Sequence, residues 1–290
     1  MSDRVSVDAG LVRRLVDAQF PEYRSLPVRD VELSGWDNRT FRLGEELSVR
    51  LPSARGYVEQ VAKEQEWLPR LAPQLPLPIP QPVAQGAPGD GYPFAWSVYR
   101  WLPGTPLGLA DDVEGLALAA DLGGFLTALR GADATAGPAA GSHNFFRGAP
   151  PGVYREEALA AIPAGARDID PRLARRIWEA AEATEWEGPG VWFHGDAAPG
   201  NLLVRDGRLS AVIDFGTSGV GDPACDLVPA WTMFEGDARR VFLAAVGLDA
   251  ATERRARAWA LWKALITVRD SPDDAPSRRT LARLAADPGV

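Results

Sequence analysis

The chain has 290 residues, 46% hydrophobic and 24% charged, an ordinary composition for a globular protein of one large domain or two lobes. No apolar run approaches the roughly 20 residues that span a bilayer and the N-terminus does not resemble a signal peptide, so we expect a cytoplasmic protein without a membrane partner. The net charge of −8 argues against nucleic-acid binding, and it fits either a cationic small substrate or a charge that only keeps the protein soluble. The single cysteine excludes an internal disulfide, and the two histidines are too few for a multi-histidine metal site.

Short strands and a few helices are predicted for the first hundred residues. Asp8 can cap a helix whose apolar face is formed by Leu11, Val12, Leu15 and Val16. Glycine-containing turns separate the first strands and indicate an antiparallel meander. The further elements predicted in chain order are strands at 28–33, 40–43 and 47–51, a helix at 58–71, an extended proline-rich stretch at 73–82, and a strand at 92–101.

Beyond residue 104 the composition changes, because alanine and leucine become more frequent and helical periodicity dominates. We therefore expect a small β-rich part over residues 1–100 and a larger helical part over residues 101–290. The helices predicted in the second part span 113–129, 171–184, 225–234, 237–246, 252–267 and 277–286.

An Asp-Gly pair at 206–207 lies between two strand-like runs and predicts a two-residue hairpin, because both turn positions need a positive φ. In the simplest register Asn201 faces Val212, and Asp214 follows at the open end of the hairpin beside Asn201. Asp196 enters the same end from the preceding loop. The turn thus gathers two carboxylates and one amide in one place.

Carboxylates at close range repel one another, so either one of them is protonated or a cation lies between them. Oxygen ligands without histidine or thiolate partners suit Mg²⁺, which takes few protein ligands and keeps several waters. The alternative interpretation of each residue alone is a polar side chain that caps a turn.

Two segments resemble the catalytic loop and the metal-binding motif of the aminoglycoside phosphotransferase family, which is related to protein kinases: residues 194–201, HGDAAPGN, and residues 213–216, IDFG. The resemblance implies an α+β, bilobal protein-kinase-like fold with a small β-rich N-lobe and a larger helical C-lobe. The N-lobe would carry the nucleotide-binding elements, and the C-lobe the catalytic loop and the substrate site.

The resemblance also implies roles for single residues. Asp196 would accept the proton of the substrate hydroxyl, and Asn201 and Asp214 would bind the Mg²⁺ that bridges the phosphates. His194 and Asp226 would support the loop, although His194 as a general base is the rival interpretation.

The N-terminal half supplies weaker resemblances. Residues 34–43, which include Asn38, lie where kinases place the loop that covers the phosphates. Arg50 stands where the family usually has the phosphate-binding lysine, and it is not equivalent to lysine. Its expected ion-pair partner is Glu64, with Glu59 and Glu66 as rivals.

The stretch 94–104 resembles the connection between the lobes, whose backbone holds the nucleobase in the family. Ser97 and Tyr99 are the nucleotide-binding candidates there. Because backbone groups would bind the base, the side chains do not distinguish ATP from GTP as the donor.

We therefore expect a phosphotransferase that moves the γ-phosphate of ATP or GTP to a hydroxyl of a small molecule, first of all an aminoglycoside-type antibiotic, as a resistance enzyme would. Kinases of a macrolide, choline, homoserine or another metabolite and a nucleotide-binding pseudokinase remain as alternatives, whereas too few histidines are present for a metallohydrolase. Five acidic residues are candidates for binding a cationic acceptor, unless they form a solvated surface: Glu235, Asp237, Asp270, Asp273 and Asp274.

Overall fold

A five-stranded antiparallel sheet forms the N-lobe. The computed structural model describes residues 4–31, 35 and 37–287. Across the sheet the strand order is β1-β2-β3-β5-β4, so β5 is paired along both of its edges. In chain order the strands are β1 (Val28–Asp30), β2 (Asn38–Leu43), β3 (Leu47–Pro52), β4 (Pro82–Gly86) and β5 (Trp96–Arg100).

Two helices accompany the sheet. Helix α1 (Ala9–Gln19) is capped by Asp8, whose carboxylate accepts a hydrogen bond from Leu11 N at 2.7 Å, and it buries the predicted apolar face in the N-lobe core. Helix α2 (Val58–Leu71) connects the lobes, because its last turns carry Trp67 into the main core of the C-lobe.

Helices build the C-lobe. They are α3 (Gly115–Arg130), α4 (Arg155–Ala161), α5 (Pro171–Glu182), α6 (Pro229–Thr232), α7 (Gly236–Val246), α8 (Ala250–Asp270) and α9 (Ala275–Ala286). Helix α8 is central and packs against α4, α5 and α9. Helix α4 was not predicted, whereas α3, α5, α7, α8 and α9 lie close to their predicted positions. None of the helices within the described ranges has the length and apolarity to cross a bilayer.

Two small β units position the loops of the C-lobe. Strands β6 (Thr105–Pro106), β8 (Leu202–Arg205) and β9 (Arg208–Val212) form one unit, and β7 (Val191–Phe193) pairs with β10 (Gly219–Gly221) in the other. Asp206 and Gly207 join β8 to β9 with φ angles of 53° and 74°, which confirms the predicted hairpin.

The register predicted for this hairpin was wrong by one residue. Val212 pairs with Leu202 rather than with Asn201, because a bulge shifts the ladder and leaves Ser210 as the additional residue. Ser210 Oγ donates to the carbonyl of the opposite strand at 3.0 Å. The shift places Asn201 opposite Ile213, whose N–H donates to Asn201 O at 2.9 Å, and thereby brings Asn201 nearer to the residue after Ile213.

Prolines account for two further differences. The strand predicted at 92–101 begins only at Trp96, since Pro93 has no N–H for a ladder. The helix predicted at 225–234 is divided into a 3₁₀ turn and α6, because Pro229 cannot donate the helical hydrogen bond.

Two segments of the N-lobe also differ from their predictions. The strand expected at 28–33 ends at Asp30, and residues 32–34 lie outside the described part of the chain. The extended stretch expected at 73–82 begins with a 3₁₀ turn, Ala72–Gln74. The lobe boundary after residue 100 stays a prediction.

Candidate active site

A cleft of about 320 Å³ lies between the two lobes, at the lower end of the volumes of small-molecule sites. The N-lobe contributes β2 and β3, the connection after β5 forms one end, and the hairpin of the C-lobe forms the floor. The lining residues are Val31, Gly35, Thr40, Ser48, Arg50, Pro80, Tyr99, Arg100, Trp101, Leu102, Gly104, Pro106, Gly200, Asn201, Leu203, Ile213 and Asp214.

Arg50 on β3 lies between two carboxylates. Its Nη2 is 2.8 Å from Asp214 Oδ1 and its Nη1 is 3.5 Å from Glu64 Oε1. Glu64 is buried on α2, and its carboxylate also accepts a hydrogen bond from the Tyr99 hydroxyl. One guanidinium therefore connects the sheet, α2 and the segment after β9.

The rival partners of Arg50 face elsewhere on α2. Glu59 is exposed, and exposed Glu66 pairs with Arg70 one turn further on, at 3.3 Å. The structure thus selects Glu64 among the three glutamates.

The Arg50 guanidinium controls the ionisation of Asp214. Burial alone would raise the pKa of Asp214, but the charge and the hydrogen bond of Arg50 hold this pKa below its ordinary value. Burial alone would likewise lower the pKa of Arg50, and the charges of Asp214 and Glu64 raise it instead. Asp214 adopts a φ of 65°, an uncommon backbone conformation for a residue other than glycine.

The loop that follows β7 places Asp196 and Asn201 together. The Asn201 side-chain amide donates to Asp196 O at 2.9 Å and to Asp196 Oδ2 at 3.0 Å. The Asp196 carboxylate is otherwise exposed. The hairpin register brings this pair to the same end as Asp214, as the sequence predicted.

His194 and Asp226 support this loop from below. Both are buried, and the Asp226 carboxylate accepts hydrogen bonds from His194 N at 2.9 Å and from Gly195 N at 2.7 Å. The His194 ring lies 3.0 Å from Ile213 O through Nε2 and accepts from Asp196 N at 3.2 Å through Nδ1. Because both ring nitrogens have backbone partners, the geometry favours support over general-base catalysis for His194.

Known proteins share this arrangement. A profile of the phosphotransferase enzyme family matches residues 31–262, which include the cleft, the loop that carries Asp196 and Asn201, and the segment after β9. The chain belongs to this family. A search of curated sequences gave no match.

Solved structures of phosphotransferases share the fold. The GDP complex of a mutant aminoglycoside 2'-phosphotransferase-IIIa is 20% identical, with a TM-score of 0.69 over 96% of each chain. The macrolide 2'-phosphotransferase MphH from Brachybacterium faecium is 27% identical, with a TM-score of 0.62 over 94% of this chain and 97% of that chain. The ternary complex of APH(2'')-IIa with streptomycin and ATP is 19% identical, with a TM-score of 0.60 over 98% and 97%. The predicted family and the predicted α+β bilobal fold are confirmed, and the chain is a small-molecule O-phosphotransferase.

The predicted nucleotide-binding residues Ser97 and Asn38 of this phosphotransferase do not line the described part of the cleft. Ser97 pairs with Arg50 along one edge of β5 and with Gln85 along the other, and its Oγ accepts from Gln65 Nε2 at 2.9 Å. Asn38 is buried at the start of β2. The nucleotide-binding roles of Ser97 and Asn38 stay predictions.

Tyr99 lines the cleft, but the pairing of β5 along both edges at this position leaves it without free backbone groups. The next two N–H groups, of Arg100 and Trp101, donate to backbone carbonyls at 2.9 and 2.7 Å. Leu102 therefore has the first N–H after the strand that could bind a base edge, since Pro103 has none.

Asp37 is a site residue that the sequence reasoning did not assign. Burial and the nearby charge of Asp214 raise its pKa to about 6, with a smaller contribution from Asp196 and opposing ones from a Tyr57 hydrogen bond and from Arg50. The sequence feature that could have identified Asp37 is its position directly before Asn38, at the start of β2. Three carboxylates therefore share one electrostatic field at the cleft.

The donor set of the site fits Mg²⁺. Among the described residues no three His, Cys, Asp or Glu side chains converge as a ready metal site, but magnesium in phosphoryl transfer needs few protein ligands. Asn201 and Asp214 offer oxygen atoms on neighbouring chain segments, and the Asp37 carboxylate lies near enough for the charge of Asp214 to add to the effect of burial on its pKa. The metal-binding roles of Asn201 and Asp214 stay predictions.

Most of the predicted acidic acceptor contacts are already engaged within the protein. Glu235 and Asp237 pair with arginines on α9 and α7, and Asp270 pairs with Arg269. Asp274 caps α9 by accepting from Ser277 N at 2.8 Å. Of the five candidates, Asp273 is exposed and has no such role in the described contacts.

Proposed function

We propose that this phosphotransferase moves the γ-phosphate of ATP or GTP to a hydroxyl of a small molecule, with an aminoglycoside-type antibiotic as the first candidate acceptor. One observation carries the proposal: Arg50 pairs with Asp214 in the cleft, and Asn201, which also lines the cleft, holds the Asp196 carboxylate. Neighbouring structures were solved with GDP, ADP or ATP, which supports a nucleotide as the donor.

Asp196 is the proposed base. Asn201 holds Oδ2 of its carboxylate, so Oδ1 is available to accept the proton of the acceptor hydroxyl. The acceptor oxygen attacks the γ-phosphorus, the bond between this phosphorus and the β-bridging oxygen breaks, and the nucleoside diphosphate leaves. The carboxylate thus orients the nucleophile and takes its proton.

Asn201 and Asp214 would hold Mg²⁺, which would screen the phosphate charges when bound. Arg50 provides a fixed cation beside Asp214, and Glu64 keeps the guanidinium in place from α2. A pre-oriented positive group stabilises the charge that develops on the transferred phosphate, because it needs no reorganisation during the reaction.

A macrolide is the second candidate acceptor, and one observation favours it. The neighbour of highest identity among the three structures described above, at 27%, is named a macrolide 2'-phosphotransferase.

The test is a panel of hydroxyl compounds incubated with the protein, Mg²⁺ and either ATP or GTP, followed by mass spectrometry. The panel includes aminoglycosides, macrolides, choline and homoserine, and the Asp196→Asn protein is the control. Addition of one phosphate to a panel member by the wild type, and not by the variant, supports the proposal. Tight nucleotide binding without turnover of any acceptor would instead support a pseudokinase.

A further inference from the structure

Lysine is almost absent from this chain. Among 31 basic residues only Lys63 and Lys263 are lysines, and even the strand position where the family usually has lysine carries Arg50. Lys263 is exposed on α8, whereas Lys63 is buried on α2. A buried lysine in an arginine-rich chain indicates a site that an arginine does not fit.

The Lys63 ammonium lies under the segment that follows Asp214. Its Nζ donates to Gly216 O at 2.6 Å and to Ser218 O at 2.8 Å, and lies 3.4 Å from His143 Nδ1. His143 Nε2 is 2.8 Å from a backbone carbonyl, so the ring proton belongs on Nε2 and Nδ1 is an acceptor. All three ammonium protons therefore point to acceptors that converge on one atom.

An arginine could not make the same contacts. Its donors are spread over a planar fork, whereas the three acceptors here surround a single nitrogen. Burial lowers the pKa of Lys63 to about 8, and the charges of Glu64 and Asp214 oppose this change. Lys63 is thus a cation at neutral pH in a site that matches its shape.

Two consecutive residues of α2, Lys63 and Glu64, contact two different parts of the active site. Lys63 and Glu64 are consecutive and so point about 100° apart around the helix, which directs Glu64 to Arg50 and Lys63 to the segment after Asp214. One turn before Lys63, the buried amide of Gln60 has no hydrogen-bond partner among the described residues. It lies so close to Gly216 that a Cβ there would be 2.6 Å from Gln60 Oε1.

We propose that Lys63 is a positioning residue for phosphoryl transfer, which holds the segment 214–218 against α2 so that one helix sets both Arg50 and Asp214. This inference rests on the proposed function. Lys63 is not among the residues that line the cleft, and it would act through the backbone that follows Asp214.

The first experiment compares the Lys63→Met, Lys63→Arg and Lys263→Met proteins. Because a displacement of about 1 Å at a reacting group can cost up to 10²-fold in rate, we expect Lys63→Met to lower kcat roughly tenfold or more. The Mg²⁺ concentration for half-maximal nucleotide binding should rise, while nucleotide binding without metal should stay within about threefold. Lys63→Arg should recover little of the lost kcat and Mg²⁺ affinity, and Lys263→Met should match the wild type in both. A Lys63→Met protein with the metal dependence and kcat of the wild type overturns the proposal.

A second measurement needs neither a variant at Lys63 nor an acceptor. The wild-type protein is reductively methylated with and without Mg²⁺ and a non-hydrolysable nucleotide, and the two lysine-containing peptides are quantified. We expect Mg²⁺ and the nucleotide together to slow the labelling of Lys63 severalfold and to leave the labelling rate of Lys263 unchanged. In the Asp214→Ala protein the labelling rate of Lys63 should not respond to them. Equal labelling of Lys63 in both conditions refutes the positioning role. A wild type that binds no nucleotide with Mg²⁺ would refute the proposed function instead.

Discussion

Replacement of Arg50 tests whether the guanidinium is used as a two-ended connector. Its two terminal nitrogens serve different carboxylates, Nη2 at 2.8 Å from Asp214 and Nη1 at 3.5 Å from Glu64. A lysine ammonium presents all of its donors from one nitrogen, whereas the guanidinium reaches Asp214 and Glu64 through two separate nitrogens. We expect Arg50→Lys to lose one charge-assisted contact, about 1.5–2 kcal/mol of unfolding free energy.

Removal of the cation should cost more. Arg50→Met leaves Glu64, which is 5% exposed, and Asp214, which is 28% exposed, without a counter-charge. Breaking a buried ion pair costs about 3–5 kcal/mol, and the partial exposure of Asp214 favours the low end, about 3 kcal/mol. That corresponds to a Tm lower by roughly 6–12 °C for a protein of this size.

Thermal unfolding monitored by circular dichroism, without nucleotide or metal, measures both variants. Arg29→Met is the matched control, since Arg29 lies in the same sheet and pairs with Glu45 at the surface, where an ion pair contributes about 0–1 kcal/mol. Because Arg50 depresses the pKa of Asp214, its contribution is complete above pH 4 and declines as the pH falls through the folded-state pKa. An Arg50→Met protein as stable as the control at pH 7, or a deficit that grows in acid, would refute the reasoning.

Three further outcomes are expected. Asp196→Asn should lower kcat roughly 10²-fold or more with an unchanged Tm, and near-normal turnover would disprove the base assignment. Asp214→Ala should abolish Mg²⁺-dependent triphosphate binding in calorimetry, and tight binding that ignores the metal would contradict its role. The raised pKa of Asp37, about 6, means that the wild type loses stability as the pH rises from about 4 to 6. Asp37→Asn should therefore gain up to about 2 kcal/mol over the wild type at pH 7.5 but not at pH 4, and an equal difference at both pH values would exclude that titration.

Local signals were sufficient for much of the site. The Asp-Gly turn forced the hairpin, and the hairpin brought Asn201 and Asp214 to one end because loop length and turn type limit the pairing. The one-residue error arose at Ser210, where a bulge depends on how the strand packs and leaves no mark in the turn itself. In this case the error had no chemical consequence, since the shift moved the two residues closer together.

Non-local strand pairing is the part of the nucleotide site that the sequence did not show. Ser97 and Tyr99 were expected to offer backbone groups, which would hold if β5 were an edge strand on the cleft side. The structure places β5 between β3 and β4, so their N–H and C=O groups are used by the sheet. Strand order results from the whole fold and cannot be obtained from a single run of alternating residues. These pairings leave Leu102 as the first candidate after the strand to bind the base through its N–H.

The choice of arginine at position 50 and of lysine at position 63 follows from how the acceptors are arranged around each side chain. Arg50 invited the pseudokinase interpretation, because the family usually has a lysine there. In the structure the position must span two carboxylates on different elements, a task that suits a fork with two separate nitrogens. At position 63 three acceptors surround one nitrogen, which suits an ammonium. Each cation therefore matches the geometry of its own site, so the absence of a lysine from β3 is no argument against catalysis.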